Sequence, residues 1–154
     1  MADDLGKYKF VDNTPQAEKA MDEAVIKCLT AIGMFLESEA KEELGNDPIR
    51  IDTGYLRNSI TWGISGKNVS GENYESNSSH RVSGAAVKPK KTGSYKGTLP
   101  DDKEKAVYIG TNVNYAVTIH EGSIGMSANK FIKNAVTKNE DQIKEYIKKE
   151  FKEH

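Results

Sequence analysis

Apolar residues in the first third of the chain recur every three or four positions, as on one face of an α-helix. Thr14 offers an N-cap hydroxyl, and Pro15 stands at the first helical position, where a missing N–H costs nothing. Gly45 follows the last apolar residue of the pattern, as a residue just past a helix C-cap does. The pattern therefore predicts a helix over residues 14–44, preceded by a tail at residues 1–13.

Residues 51–64 change from a helical to a strand-like period within one short stretch. Asp52 is placed to cap a short helix, and Leu56 has the spacing that lets it pack against the apolar residue before that cap. Trp62 then stands in the middle of an alternation of apolar with small or polar residues. This alternation predicts a half-buried strand directly after the cap.

Composition shifts between residues 66 and 105, where glycine, serine, asparagine and lysine dominate. No acidic residue occurs between Glu75 and Asp101, and Tyr95 lies there among five basic residues. The basic residues are Arg81, Lys88, Lys90, Lys91 and Lys96. Two interpretations stay open: a solvated loop, or a basic arm that becomes ordered against a neighbouring subunit or a nucleic acid.

Regular patterns return after the insert. Residues 106–123 predict a strand that Gly110 ends, followed by one or two helical turns that Gly122 ends. Residues 127–152 repeat the apolar spacing of a helix, with lysine and glutamate alternating on the opposite face. The chain is thus predicted to be one α+β domain, in which a long N-terminal helix and a C-terminal helix pack on a small, mainly antiparallel sheet that carries a long inserted loop or arm.

Composition narrows the possible functions. The chain has 154 residues and a net charge of −1, so it has no overall electrostatic attraction for nucleic acid or membrane. Its one cysteine, Cys28, lies on the apolar helical face and is predicted to be a buried thiol. No apolar run has the length of a membrane span or a signal-peptide core, which predicts a soluble protein made in a cytoplasm.

Asp52-Thr53-Gly54 has the triplet of an aspartic protease, an enzyme that needs two such loops at one dyad. A single copy would require a dimer of the retroviral type. Tyr55 follows the triplet where a small residue is expected, and a helix of about thirty residues precedes it, whereas those enzymes are nearly all β. A helix cap is therefore the favoured role of Asp52.

His120-Glu121 is the other pair that suggests acid–base or metal chemistry. Adjacent residues on a helix point in different directions, and the sequence has no H-x-x-x-H or H-E-x-x-H spacing. We therefore predict no enzyme, no metal site and no cofactor.

Four segments, taken in order, resemble one known family. They are D-T-G-Y-L-R-N-S-I at 52–60, V-Y-I-G-T-N with the following Tyr115-Ala116, I-H-E-G-S at 119–123, and K-F-I at 130–132 with Ala135. Together they resemble the tail-component, tail-completion and minor capsid proteins of tailed bacteriophages and prophages. Members typically contain D-T-G-x-L-R-x-S-I, V-x-V-G-T-N-x-x-Y-A, a glutamate-glycine segment and F-L-x-x-A at the start of a C-terminal helix. The likeness covers about residues 14–150, with the 66–105 insert outside it.

The resemblance implies a virion structural protein without catalytic residues, assembled in the bacterial host cytoplasm. It implies a homo-oligomeric ring, of six subunits in this interpretation, that joins head to tail, lines the DNA channel and contacts other neck and tail proteins. Which ring of the neck it would be stays open, because many relatives have a proline where this chain has Ser127-Ala128-Asn129.

Three sets of residues carry these expectations. The candidates for subunit contact are Tyr95, Tyr115, Ile119, His120 and Glu121. The candidates for contact with double-stranded DNA in the lumen are Lys88, Lys90, Lys91 and Lys96. The structural motif consists of Asp52, Gly54, Leu56, Arg57, Trp62 and Gly110. A host-encoded binding module that shares the fold is the remaining alternative, and an ordered, ligand-sized pocket would favour it.

Overall fold

A computed structural model describes residues 13–45, 54–67, 73–76, 80–81, 87–88, 91–95, 98–101 and 105–152, with the backbone alone at 80–81 and 87–88. Residues 1–12 of the predicted tail at 1–13 lie outside these residues, as do Asp52, Lys90 and Lys96.

The described elements confirm the α+β class. In chain order they are α1 (Thr14–Gly45), α2 (Tyr55–Ser59), β1 (Thr61–Ile64), β2 (Asn73–Glu75), β3 (His80–Arg81), β4 (Val87–Lys88), β5 (Thr92–Ser94), β6 (Val107–Gly110), α3 (Ala116–Glu121), α4 (Phe131–Thr137) and α5 (Glu140–Lys152). Helix α1 is the long N-terminal helix that the apolar spacing predicts, and it ends one residue later than predicted.

One face of α1 is buried along most of its length. Its buried residues are Ala24, Cys28, Ile32, Gly33, Leu36, Ala40 and Leu44. The thiol of Cys28 is buried, as predicted, and its pKa is raised by this burial and by the nearby carboxylate of Glu150. Because the stripe is continuous, α1 can serve two apolar clusters, one at each end of its buried segment.

Strands β1 and β6 pair antiparallel and form the sheet that lies against α1. Their register sets Trp62 opposite Ile109 and Ile64 opposite Val107. The indole of Trp62 packs so closely on α1 that a Cβ added to Gly33 would lie 2.6 Å from Cδ2 of the indole. Both predicted strands are confirmed, and their pairing brings together the two ends of the inserted segment.

The start of α2 differs from the prediction. The residue before its first helical position is Gly54, with φ 74° and no side-chain cap hydrogen bond. The N-cap is therefore two positions later than Asp52, because the chain turns at Gly54 through the left-handed region, which glycine enters without a Cβ penalty. Leu56 is buried in the core, and Arg57 donates a hydrogen bond from Nε to the carbonyl of Lys41, 3.2 Å away.

The insert contains short strands that the sequence pattern did not predict. Strand β2 pairs antiparallel with β5, and β3 pairs antiparallel with β4. Ser76 continues the first of these ladders: its N–H donates to the carbonyl of Lys91 at 2.8 Å, and its Oγ accepts from the N–H of Lys91 at 2.9 Å. Most residues of these strands are polar or charged and pair through backbone hydrogen bonds, so no apolar alternation marks the strands in the sequence.

The single helix predicted for residues 127–152 is two helices, α4 and α5, separated by Lys138 and Asn139. Asn139 donates from Nδ2 to the carbonyl of Ala135 at 2.8 Å, and its own carbonyl accepts from the N–H of Ile143 at 3.0 Å. The side chain of Asn139 thus caps a free carbonyl at the end of α4, while its backbone carbonyl accepts the first hydrogen bond of α5. An asparagine side chain that bonds nearby backbone competes with a continuous helix in this way.

Two apolar clusters hold the elements together. The larger consists of Ala40, Leu44, Tyr55, Leu56, Ile60, Val113, Ala116, Ile119, Phe131 and Ala135. The smaller is formed by Cys28, Ile32 and Leu36 on α1 with partly buried residues of β6, α4 and α5. Phe131 is completely buried in the larger cluster, which makes it the central side chain of the domain.

Candidate functional site

Three tyrosines join the inserted segment to the body of the domain. The ring centroids of Tyr55 and Tyr74 are 5.2 Å apart, and those of Tyr74 and Tyr95 are 5.7 Å apart. Gly93 makes this approach possible, since a Cβ there would lie 2.5 Å from the hydroxyl of Tyr55 and 2.5 Å from Cζ of Tyr74. The base of the insert is therefore packed on α2 within one copy of the chain.

Tyr95 was expected to contact a neighbouring subunit, yet its hydroxyl is bonded inside the chain. It donates to the carbonyl of Ser59 at 2.6 Å, lies 3.2 Å from the carbonyl of Gly110, and accepts from the N–H of Asn112 at 3.0 Å. Asn112 in turn donates from Nδ2 to the carbonyl of Ser94 at 2.9 Å. These bonds tie the insert to the ends of α2 and β6.

Tyr95→Phe is expected to lower the free energy of unfolding by about 1–2 kcal/mol, because it leaves two buried or half-buried backbone groups without their partner. Urea denaturation of the two proteins measures this difference. Tyr146→Phe on α5 is the matched control, because no described residue is hydrogen-bonded to the Tyr146 hydroxyl. Equal losses for both variants would show that the Tyr95 bonds contribute nothing specific.

The tyrosine cluster also predicts a dependence on alkaline pH. The pKa values of Tyr74 and Tyr95 are both raised, and burial is the largest cause in each case. Above about pH 10 the unfolded chain ionises its tyrosines first and binds fewer protons than the folded chain. The stability contributed by these two groups is thus complete below that pH and is lost as pH rises through their folded pKa values.

We expect the free energy of unfolding to fall as pH rises above about pH 10, measured by urea denaturation at each pH. A protein carrying both Tyr74→Phe and Tyr95→Phe should show a flatter dependence. An unchanged slope in that variant would assign the alkaline loss to other groups.

Lys91 is the one lysine of the predicted lumen set whose side chain belongs to the described part of the chain. Its ammonium lies 4.4 Å from the ring centroid of Tyr55 and 5.5 Å from that of Tyr115. Lys88 is in β4 with only its backbone described, and Lys90 and Lys96 lie outside the described residues. The structure thus brings Lys91 onto an aromatic surface and does not test the grouping of the four lysines.

An open, mainly apolar groove of about 320 Å³ lies between the end of β6 and helices α3 and α4. It is lined by Gly110, Thr111, Val113, Ala116, Val117, His120, Glu121, Phe131 and Ile132. The side chain of Val117 is 70% exposed at its edge, and Tyr115 is exposed just before α3. The predicted contact residues Tyr115, His120 and Glu121 therefore lie in one region.

Ile119 is a correction to the predicted contact set. It is buried in the larger apolar cluster, where it packs with the elements around Phe131. On a six-residue helix the face opposite Val117 must turn inward, so Ile119 stabilises the fold instead of meeting a neighbour. Its side chain is not available to a second subunit.

His120 and Glu121 form a polar margin of the groove. His120 Nδ1 and Glu121 Oε1 are 2.6 Å apart, and the N–H of Lys133 donates to His120 Nε2 at 3.4 Å. Since Nε2 accepts, the ring proton lies on Nδ1 and is donated to Glu121. That hydrogen bond, with the charge of Lys130 at 3.6 Å, lowers the pKa of Glu121. The ring of His120 also meets Phe131 edge-on, at 5.5 Å between centroids.

A tight turn next to the groove exposes an isoleucine that the sequence patterns did not single out. Ser123 and Met126 exchange two backbone hydrogen bonds of 2.9 and 3.0 Å, and Gly125 between them has φ 81°. Ile124 at the tip is fully exposed. Ile124 stands alone between Ser123 and Gly125, so no apolar periodicity in the sequence indicates whether its side chain is buried or exposed.

Gly122, before this turn, must be glycine for a structural reason. Its φ is 81°, and a Cβ there would lie 2.8 Å from the backbone nitrogen of Ala128. The end of α3 and the segment leading to α4 can approach only because this side chain is absent. The predicted glycine-ended helix is confirmed.

Within the described residues, no group of three potential metal-binding side chains occurs, and no helix is long and apolar enough to cross a membrane. Comparisons with protein-family models, with curated proteins and with solved structures gave no match to this chain.

Proposed function

We propose that this protein is a structural subunit of a ring at the head–tail junction of a tailed bacteriophage or prophage. The observation that carries the proposal is that all four family-like segments contribute to one apolar cluster. Leu56 and Ile60 come from the first segment, and Ile109 of the second packs against them. Ala116 and Ile119 come from the end of the second and the start of the third segment, and Phe131 and Ala135 come from the fourth. Segments that specify one shared core belong together as a unit, which favours a family likeness over four chance matches.

The exposed apolar surface supports self-association. Val117 and Ile124 are 70% or more exposed beside the groove, and Tyr115 is exposed next to them. A surface of this kind is typical of a protein interface. A closed ring needs two different patches on each subunit, since its contacts are head-to-tail.

Light scattering on a size-exclusion column, over a concentration series, tests the ring directly, followed by electron microscopy of the largest species. A discrete oligomer with a central channel supports the proposal. A chain that stays monomeric at every concentration contradicts it and favours a binding module that uses the open groove. A strict dimer without a channel also contradicts it and calls for a peptide-cleavage assay with Asp52→Asn.

If the ring passes DNA, Lys88, Lys90, Lys91 and Lys96 are the residues we assign to its lumen. Binding of double-stranded DNA to the assembled protein is then expected to weaken as salt rises, and replacing these four lysines by alanine should reduce the salt slope by about one unit per contacting lysine. Fluorescence anisotropy at low and moderate salt measures the slope. The matched control replaces four α5 lysines, namely Lys144, Lys148, Lys149 and Lys152. Equal DNA binding by the two variants would remove the lumen assignment.

A further inference from the structure

The first three turns of α1 extend past the rest of the described body. Residues 14–23 are all exposed, although the apolar stripe of the helix continues through them. Ala17, Ala20 and Met21 have three- and four-residue spacing with the buried Ala24, and Met21 is 55% exposed. The stripe that forms the core therefore continues onto a segment that no described element covers.

The described part of the C-terminal helix does not reach this segment. Helix α5 runs antiparallel to α1, because Tyr146 meets Phe35 at 5.6 Å between centroids and Glu150 lies 3.5 Å from Lys27. The described part of α5 ends two residues after Glu150. From Lys27 to the start of α1 the helix rises by roughly 20 Å, so its first turns lie beyond the reach of α5.

The groove lies at the opposite end of α1. Phe131, which lines the groove, packs in one cluster with Ala40 and Leu44. Along the helix, Met21 and Leu44 are separated by roughly 35 Å. A chain cannot place the start of its own α1 in its own groove, whereas a second copy can.

The charges beside the two surfaces have opposite sign. The exposed start of α1 carries Glu18, Asp22 and Glu23 against a single lysine, Lys19. Lys130 and Lys133 flank Phe131 and Ile132, the groove-lining residues of α4. Lys130 is 3.6 Å from Glu121, which also lines the groove, so this margin carries two lysines against one carboxylate. An acidic helix beside an apolar stripe fits a groove with a basic margin, which is the helix-in-groove mode of recognition.

We propose that residues 14–23 of one copy bind in the groove between α3 and α4 of a second copy. This inference rests on the proposed ring and identifies its two patches. The contact is heterologous, because the two surfaces differ and lie at opposite ends of the subunit. Repetition of one such contact gives a ring when its rotation closes.

Cysteine cross-linking of the full-length chain tests the contact. In a Cys28→Ala background, which removes the only cysteine, one chain carries Met21→Cys and a second chain carries Val117→Cys. The two are mixed at a concentration at which light scattering shows assembly, and are then oxidised. The expected result is a disulfide-linked pair containing one chain of each kind, with little product from either chain alone.

Three other outcomes overturn the inference and are distinguishable. Self-linking of the Val117→Cys chain would show a symmetric contact between two grooves or two Ile124 turns. An assembly of normal mass without the mixed product would leave the proposed ring standing and remove this interface. Absence of assembly before oxidation would remove the ring and the interface together.

A charge exchange gives a second test without cysteines. Lys130→Glu with Lys133→Glu is expected to raise the concentration needed for half-assembly by about tenfold, since it places like charges together. Adding Glu18→Lys and Asp22→Lys in the same chain should restore assembly. The control variant replaces two exposed lysines of α5 by glutamate, Lys144→Glu and Lys148→Glu. Equal effects of the two double reversals, or no rescue, would contradict the pairing of these surfaces.

Discussion

Phe131→Ala is expected to lower the free energy of unfolding by about 3–5 kcal/mol, the cost of removing a large buried aromatic side chain. Phe131 is completely buried and belongs to one apolar cluster with residues from α1, α2 and α3. Truncation leaves a cavity that these elements cannot fill, because each is held by its own backbone hydrogen bonds. Urea denaturation followed by circular dichroism measures the change.

Two variants make this result interpretable. Phe151→Ala removes the same side chain from a position that is 39% exposed on α5, and it should cost much less. Phe131→Leu keeps most of the volume and should cost less than about 1.5 kcal/mol, which allows measurement if the alanine variant does not fold. A loss for Phe151→Ala as large as that for Phe131→Ala would show that Phe131 is not the centre of the core.

The effect of Gly33→Ala on the free energy of unfolding should change sign when Trp62 is replaced by alanine. An alanine at an interior helix position is usually more stable than glycine by about 1 kcal/mol. Here a Cβ at Gly33 would meet the base of the indole, which cannot move away as the end of a flexible side chain can. Gly33→Ala is therefore expected to cost about 1–3 kcal/mol, the range of overpacking in a core.

The partner substitution supplies the test. Trp62→Ala should cost about 3 kcal/mol, the lower end for tryptophan truncation because the indole is only partly buried. In the Trp62→Ala protein, Gly33→Ala should instead stabilise by about 1 kcal/mol, which gives a coupling of about 2–4 kcal/mol in a double-mutant cycle. Gly45→Ala is the control on the same helix, since its Cβ would lie an ordinary 3.7 Å from Nε of Arg57. Additive effects would show that the two positions do not touch in solution.

The elements with strong periodicity were predictable from the sequence. Helix α1 carries an apolar residue on the same face at almost every turn. Strand β1 alternates apolar with small or polar residues, and β6 begins with three β-favouring residues, Val107, Tyr108 and Ile109. In each of these elements the side that faces the core is marked by apolar residues at a regular spacing, so the local sequence is sufficient to identify the element. The break at Asn139 was missed although Glu140 and Asp141 after it form an acidic first turn, a helix-start signal that the apolar spacing on both sides obscured.

The candidate site was predicted less completely. Tyr115, His120 and Glu121 lie at or beside a groove that the sequence did not predict, and their contact with a second subunit stays a prediction. Ile119 of the same set is buried, and the exposed Ile124 was overlooked. On a helix of six residues, period alone cannot distinguish the buried face from the exposed one. The side on which the core lies was decided by the packing of Phe131 and Ala116, which are separated from one another along the chain.

The sequence by itself determined the class of fold, the length of α1 and the glycine that ends α3. These properties depend on residues that are neighbours in the chain, through hydrogen bonding and the spacing of apolar side chains. Only the tertiary structure decided that Trp62 requires a glycine at position 33, that Tyr95 is bonded within its own chain, and that the start of α1 is left exposed. Each of these depends on which distant residues come together, and long-range contacts leave no periodic trace in the sequence.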